Sequence, residues 1–215
     1  FPLEIIKYVL MKTRVFTSTI AEAGAFIKTK DELEAPNIQL HYAPAMVIDH
    51  GRKSAWGTGL SCHSCLLRPK SRGEVTLESA DPFADPLIDP KFLTHPDDMQ
   101  DMIDGYKAMM KVLNNASFSK YISQNTQRPI DINDDADIEK AIREEADTVY
   151  HPVGTCKMGD DDMSVVSNDL KVHKIKGLRV VDASIMPTLV GGNTNAPTIM
   201  IGEKASDLII NEWRI

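Results

Sequence analysis

The residues best suited to chemistry lie in three short blocks within the last third of the chain. Each block combines a polar or titratable side chain with more glycine, asparagine and proline than core packing requires. The blocks read H-P-V-G-T-C-K-M-G at 151–159, G-L-R-V-V-D-A-S-I-M-P at 177–187 and G-G-N-T-N-A-P-T at 191–198. This grouping predicts a functional site between residues 150 and 213.

His151 is the candidate for proton transfer in the first block, because a histidine side chain can serve as a base near neutral pH. Pro152 fixes the backbone beside it, and Gly154 allows another part of the chain to approach closely. A lone histidine is also a common structural residue, and this alternative stays open from the residues alone.

The third block has the pattern of a turn that leads into a helix. The amide of Asn193 could bond a substrate oxygen without titrating, and Asn195 could cap the helix; an N-T-N sequence is also typical of a turn with no ligand. Pro197 is tolerated in a first helical turn. The apolar run at 199–210 predicts that this end is buried, where free N–H groups and a partial positive charge would face a ligand.

The elements that must position these blocks follow from periodicity and turn residues. Apolar residues recur at helical spacing in 3–12, 96–113, 137–149 and 199–210. Strand patterns occupy 23–28, 38–48, 59–67, 74–78 and 178–181, the last as a buried strand ending at Asp182, and 80–96 is expected to be irregular. Several strands without intervening helices predict an α+β fold, with a mostly antiparallel sheet and flanking helices.

Together with three upstream motifs, the blocks resemble the C-terminal portion of the glucose-methanol-choline (GMC) oxidoreductases. The subtype is most similar to bacterial choline dehydrogenase-like and alcohol dehydrogenase enzymes. The upstream motifs are L-L-R-P-K-S-R-G at 66–73, S-A-D-P at 79–82 and P-L-I-D-P at 86–90. The family begins with a glycine-rich dinucleotide fingerprint, and no G-x-G-x-x-G occurs in these 215 residues.

The resemblance implies how the chain is organised. Residues 1–149 would form part of a substrate-binding domain, and 150–215 would form an active-site segment that returns to complete the FAD-binding domain. The chain would then be the C-terminal part of a longer enzyme, with the N-terminal Rossmann part of the FAD-binding domain absent.

The resemblance also implies an activity, which is the FAD-dependent oxidation of choline or another primary alcohol to the aldehyde. His151 would be the base and Asn193 its partner. The residues that would contact FAD are Asp182, Ala183, Asn195, Ala196, Pro197 and Thr198. An alternative is a non-catalytic substrate-binding or structural fragment of the same ancestry.

Substrate, acceptor and location follow from the same resemblance. They are a small alcohol, either oxygen or a quinone-type carrier, and the cytoplasm or inner membrane of a bacterium. Peripheral membrane association and oligomerisation are left open.

Composition and motifs argue against other classes of protein. The 24 basic and 31 acidic residues give a net charge of −7, whereas a nucleic-acid surface needs a basic patch. A serine hydrolase would need G-x-S-x-G, which is absent. Cys62 and Cys65 form a C-x-x-C without a second ligand pair, which favours structural thiols over a metal site.

Overall fold

A computed structural model describes residues 2–13, 17–19, 21–53, 57, 59–122 and 129–213. The chain divides into two compact units, Phe1–Leu66 with Pro96–Asp147, and Leu67–His95 with Thr148–Ile215. The second boundary falls close to the division expected after residue 149. Residues 67–95, however, group with the C-terminal segment rather than with the first 149 residues.

The first unit is built on a three-stranded antiparallel sheet with β2 in the middle. Its strands are β1 (Ala23–Ile27), β2 (Ile38–Ala43) and β3 (Ser61–Leu66). All three strands were predicted. β2 ends at Ala43, five residues short of the predicted range, because the next residue is Pro44, which cannot donate to the ladder.

Four α-helices occur among the described residues of the first unit, and the longest of them packs on the sheet. They are α1 (Pro2–Met11), α2 (Pro96–Leu113), α3 (Ala116–Ser119) and α4 (Asp135–Glu145). Ile38, Leu40 and Met109 form the buried centre of this packing. Gly105 permits the close approach, since a Cβ there would lie 2.8 Å from both Ile38 Cδ1 and Ser64 Oγ. The predicted helix at 96–113 is confirmed.

Helix α4 differs from its predicted range of 137–149. It begins at Asp135 because the Asp134 side chain accepts a hydrogen bond from the Ala136 N–H at 3.0 Å and so caps it. It ends at Glu145, which leaves Val149 outside the helix and 51% exposed. The apolar pattern of 137–149 places Ile138 and Val149 on one helix face, but only Ile138 is buried.

The second unit contains a short hairpin, a long helix and much irregular chain. The hairpin pairs β4 (Glu74–Thr76) with β5 (Leu87–Asp89), and the helix is α5 (Asn195–Trp213). β5 lies in the segment that we predicted to be irregular. The prediction missed it because a strand of three residues is too short to show alternation. The core residues of the second unit are Val166, Leu170, Ile185, Met186, Ile201 and Ala205.

The predicted buried strand at 178–181 is instead one arm of a small antiparallel pair. The Val172 N–H donates to Leu178 O at 3.0 Å, and the Val180 N–H donates to Leu170 O at 3.2 Å. Gly177, at φ 75°, helps the chain to turn between the arms. Only one side of this arm is covered, so Leu178 remains 48% exposed and the prediction of a buried strand was wrong.

The α+β class is confirmed, and every pairing between named strands is antiparallel. Among the helices that the structure describes, none has the length and apolar character needed to cross a membrane.

Candidate functional site

The three blocks of the C-terminal segment are held by one hydrophobic core. Ile185 and Met186 of the second block lie at its buried centre, together with Ile201 and Ala205 of helix α5. Partly buried side chains from all three blocks or their direct neighbours pack against this centre; they are Val153, Met158, Val180, Ala183 and Val190. Three segments that the sequence separates are thus fixed relative to each other by burial of apolar surface.

Backbone hydrogen bonds join the first block directly to the second. The Cys156 N–H donates to Ser184 O at 3.0 Å, and the Met158 N–H donates to Ile185 O at 2.8 Å. Gly154 has φ +88°, and a Cβ there would lie 3.2 Å from Met186 O. Both the conformation and the close approach require glycine, as the sequence predicted.

His151 lies at the exposed start of the first block. Tyr150 immediately before it has φ 63°, which is uncommon for a bulky residue, and Pro152 follows it. The backbone on both sides of the histidine is therefore tightly constrained. Within the part of the chain that the structure describes, the His151 ring makes no hydrogen bond, with Asn193 or any other residue.

Asn193 follows a tight turn in which the Gly192 N–H donates to Val190 O at 2.8 Å. Its side chain is exposed, whereas Gly191 and Gly192 are partly buried. Asn193 therefore projects from a turn that is anchored by Val190 in the shared core.

The carboxylate of Asp182 is hydrogen-bonded within the chain. The carboxylate accepts hydrogen bonds from the Ser184 N–H at 2.8 Å and from the Ser184 hydroxyl, and so caps a 3₁₀ turn at Ala183–Ile185. Among the described residues, none accepts a hydrogen bond from the backbone N–H of Asp182 or Ala183. A ligand contact at this position would therefore use main-chain donors rather than the carboxylate.

Helix α5 starts differently from our prediction. Thr194 O accepts the Thr198 N–H at 3.0 Å and the Thr198 hydroxyl at 2.8 Å. Thr194 is therefore the capping position and Asn195 is the first helical residue, so Asn195 was wrongly predicted as the cap. An N-cap residue can be identified only to within one or two positions when several polar residues adjoin.

The first turn of α5 leaves two backbone donors without an acceptor in the described chain, the N–H groups of Asn195 and Ala196. Pro197, two residues into the helix, has no N–H to donate. Ile199 is 59% exposed and Met200 is 58% exposed. The predicted burial of this helix end is thus not observed in the described residues.

Helix α5 is also tied to the arm that leads to Asp182. Glu212 near its C-terminal end accepts a hydrogen bond from Lys171 at 2.8 Å and another from Arg179. These two hydrogen bonds lower the pKa of the Glu212 carboxyl. The ion pairs orient the Asp182 arm on the helix, although exposed pairs contribute little stability.

His173, His41 and the C-x-x-C lie in local structural environments. His173 Nε2 shares a 3.0 Å hydrogen bond with Gly159 O. Burial lowers the pKa of His41 and raises the pKa of the Cys62 thiol to about 11. Cys65 lies on the same strand, where its pKa is also raised by burial. The described residues contain no group of three or more potential metal ligands.

Sequence reasoning missed two residues that shape the site. The spacing D-A-S should have identified Ser184, because an aspartate two residues before a serine typically caps a short turn. Arg68, whose guanidinium lies against Gly191, gave no local signal, since this contact joins positions that are far apart in the sequence.

Comparison with known proteins agrees with this arrangement. The model of the GMC oxidoreductase family matches residues 69–202. An alcohol dehydrogenase [acceptor] of Pseudomonas putida is 46% identical over 95% of the chain, and an oxygen-dependent choline dehydrogenase of Klebsiella pneumoniae is 41% identical over 92% of it. The chain spans 37% and 36% of the length of these two relatives.

Solved structures show the same fold. A formate oxidase of Aspergillus oryzae, studied for its FAD modification, is 25% identical with a TM-score of 0.88, and the match covers 99% of this chain and 42% of that protein. A fungal aryl-alcohol oxidase is 31% identical with a TM-score of 0.70, over 85% of this chain and 29% of that protein. The chain belongs to the GMC oxidoreductase family.

Proposed function

We propose that this chain supplies the proton-transfer residues and part of the FAD contacts of an enzyme that oxidises an alcohol to the aldehyde. The observation that carries the proposal is the shared core, because it holds the His151 block, the Asp182 turn and the start of α5 together. The family resemblance assigns the base to the His151 block and FAD contacts to the Asp182 turn and the start of α5. It assigns the amide that bonds the substrate to Asn193, just before α5.

His151 takes the hydroxyl proton of the alcohol on an imidazole nitrogen. The ring is exposed and makes no hydrogen bond with any described residue, so it is available to a ligand. The constrained backbone at Tyr150 and Pro152 limits how far the ring can move. Such pre-positioning lowers the entropy cost of bringing base and substrate together.

Asn193 orients the substrate oxygen. Its amide can donate a hydrogen bond to a developing alkoxide without changing its own charge. The turn at 190–193 is fixed by the core contact of Val190, so the amide is presented from a defined position.

The residues assigned to FAD fit a ligand rich in oxygen acceptors. Asp182, Ala183, Asn195 and Ala196 each present a backbone N–H for which no described residue supplies an acceptor. Phosphate and carbonyl oxygens satisfy such donors, and a helix N-terminus favours negative charge. Pro197 and Thr198 complete this helix start. When bound, FAD would accept the hydrogen and two electrons of the carbinol C–H bond.

The substrate class that we propose is a small primary alcohol, either choline or an aliphatic or aromatic alcohol. The names of the two relatives, an alcohol dehydrogenase and a choline dehydrogenase, support this range. Oxygen or a quinone-type carrier would then reoxidise the cofactor. We further propose a bacterial enzyme of the cytoplasm or the inner-membrane surface, with peripheral membrane association and oligomer formation as properties to be measured.

The test is a substitution of His151→Ala in the complete enzyme, with His173→Ala as the control. Loss of a general base typically slows reaction by about 10²–10⁴-fold, so alcohol should bleach the flavin absorbance more slowly by that factor while bound flavin is retained. His173→Ala removes a structural hydrogen bond and should lower the melting temperature instead. A His151→Ala rate within tenfold of wild type would refute the assignment.

A further inference from the structure

Arg68, in the L-L-R-P-K-S-R-G segment, lies against the turn that carries Asn193. A Cβ placed on Gly191 would meet Arg68 Nη2 at 2.3 Å, its Cζ at 2.6 Å and its Nη1 at 3.1 Å. The end of the Arg68 guanidinium therefore occupies the space into which a side chain at residue 191 would point. The 66–73 motif, which has no role in the activity proposed above, thus reaches the turn that presents Asn193.

The main chain around Arg68 is well anchored. Leu67 before it is only 3% exposed. Pro69 O accepts a hydrogen bond from Arg72 Nη1 at 2.8 Å, and the Ser71 hydroxyl accepts the His95 N–H at 3.0 Å. The base of the Arg68 side chain is therefore fixed, and its guanidinium can act as a support for another segment.

The guanidinium itself is not held by a carboxylate. Among the described arginines it alone has no hydrogen bond or ion pair within the chain, whereas the others bond to acidic side chains or to carbonyls. Those partners are Asp147 for Arg52, Pro69 O for Arg72, Glu139 for Arg143 and Glu212 for Arg179. Arg68 is thus placed against Gly191 without a polar bond to any described residue.

A side chain at residue 191 would conflict with the guanidinium of Arg68 and not with the backbone conformation. The φ of Gly191 lies outside the left-handed region, unlike that of Gly154 or Gly177, so alanine could adopt the same backbone. The side chain of an alanine at residue 191 would, however, displace the guanidinium of Arg68.

We propose that Arg68 is a positioning residue for the 191–193 turn, and that the contact between its guanidinium and Gly191 sets where Asn193 lies. This inference rests on the proposed function, because the purpose of the contact is the presentation of Asn193 to the substrate. Arg68 acts through the turn, and its planar shape matters more than its charge.

The experiment uses the complete enzyme with Arg68→Ala, Arg68→Lys, Gly191→Ala and Asn193→Ala, singly and in pairs. Arg68→Ala and Gly191→Ala should each lower kcat/KM by about tenfold or more, since displacing a positioning group by about 1 Å can cost up to 10²-fold. Arg68→Lys should behave like Arg68→Ala, because lysine keeps the charge but lacks the plane. Gly202→Ala, at an α5 glycine with nothing within 4 Å of its Cβ position, is the control and should be neutral.

The double variants test whether Arg68, Gly191 and Asn193 act as one unit. Arg68→Ala combined with Gly191→Ala, or with Asn193→Ala, should be no slower than the slower single variant. Additive losses, or a full rescue by Arg68→Lys, would overturn the proposal.

A second readout does not depend on activity. Amide hydrogen exchange in peptides covering 188–198 should be about fivefold faster or more in both Arg68→Ala and Gly191→Ala than in wild type. Unchanged exchange there would refute the proposal even if the enzyme proved to have another activity. A wild type that oxidises no alcohol, together with faster exchange in the variants, would instead refute the proposed function and retain the positioning role.

Discussion

Asn193 and Asn195 are two residues apart but take different structural positions, because the helix begins between them. Asn193 lies before the Thr194 cap and projects its amide from an exposed turn, whereas Asn195 is already helical. The capping carbonyl belongs to Thr194. Whether each asparagine lies in the turn or in the helix therefore depends on the residue at which α5 begins, and composition does not reveal that residue.

Asn193→Ala should lower turnover with little change in melting temperature, because the residue is exposed and substitutions at exposed positions usually change stability little. Asn195→Ala should change the free energy of unfolding by less than about 0.5 kcal/mol, as expected for a surface helix position. Steady-state kinetics and thermal melts of the complete enzyme measure both. A stability loss of about 1 kcal/mol in Asn195→Ala would restore its role as the cap.

Asp161 illustrates how local hydrogen bonds shift a titration. Its carboxylate accepts hydrogen bonds from Lys157 Nζ at 2.7 Å, from the Ser164 hydroxyl at 2.9 Å and from the Met163 N–H at 2.9 Å. These bonds, the Lys157 bond first, lower the pKa of Asp161 to about 2. The folded pKa is depressed, so the stabilisation is present above the unfolded pKa near 3.8 and is lost as pH falls through about 2.

Asp161→Asn should therefore make the melting temperature less dependent on pH between about 4 and 2 than it is in wild type. Asp160→Asn is the matched control, since no described residue hydrogen-bonds to that neighbouring carboxylate, and it should leave the slope unchanged. Thermal melts across this pH range provide the measurement. Equal slopes in wild type and Asp161→Asn would contradict the hydrogen-bond explanation.

At the scale of elements, the apolar period of the sequence predicted the elements that pack against a core. It missed the elements and bounds that depend on a few backbone or capping contacts. The stripe of Met99, Ile103 and Met109 identified α2 because all three side chains are buried, Met109 against the sheet. β5 has no such signal, because it is only three residues long. The arm at 178–181 has an apolar pattern that predicted a strand, but the backbone hydrogen bonds that pair it with residues 170–172 are not visible in that pattern. Element bounds likewise depend on caps such as Asp134.

Asp134→Ala should destabilise helix α4 locally by about 1 kcal/mol, because the capping bond to Ala136 is lost. That energy corresponds to roughly fivefold faster amide exchange in peptides covering 135–145. Glu144→Ala, at an exposed position near the C-terminal end of the same helix, serves as the control and should change exchange little. Equal exchange in the two variants would show that Asp134 is not the cap.

At the scale of the whole molecule, the family and the order of the site blocks could be predicted from the sequence, but the way they meet could not. His151, Asp182 and Asn193 were predicted as site residues from the motifs that contain them and from the family resemblance. Their common support is a core of Val166, Ile185 and Ile201, whose partners are distant in sequence. Which backbone N–H groups stay unpaired is a property of the folded chain alone.

Several large apolar side chains of the second unit face solvent. Leu77 is 84% exposed, Phe83 93% and Ile88 70%, and they lie in or beside the β4–β5 hairpin. Exposed apolar area of this kind commonly marks an interaction surface.

These 215 residues alone should not bind FAD tightly. The cofactor pyrophosphate is normally held by a glycine-rich turn and the helix N-terminus behind it, and no G-x-G-x-x-G occurs in the sequence. The unpaired N–H groups at Asp182, Ala183, Asn195 and Ala196 offer too few contacts to replace that cradle. Titration of the purified chain with FAD, followed by quenching of flavin fluorescence, should show no binding below about 1 μM, which corresponds to roughly −8 kcal/mol. Submicromolar binding would show that the four donors and their surroundings form a self-contained cofactor site.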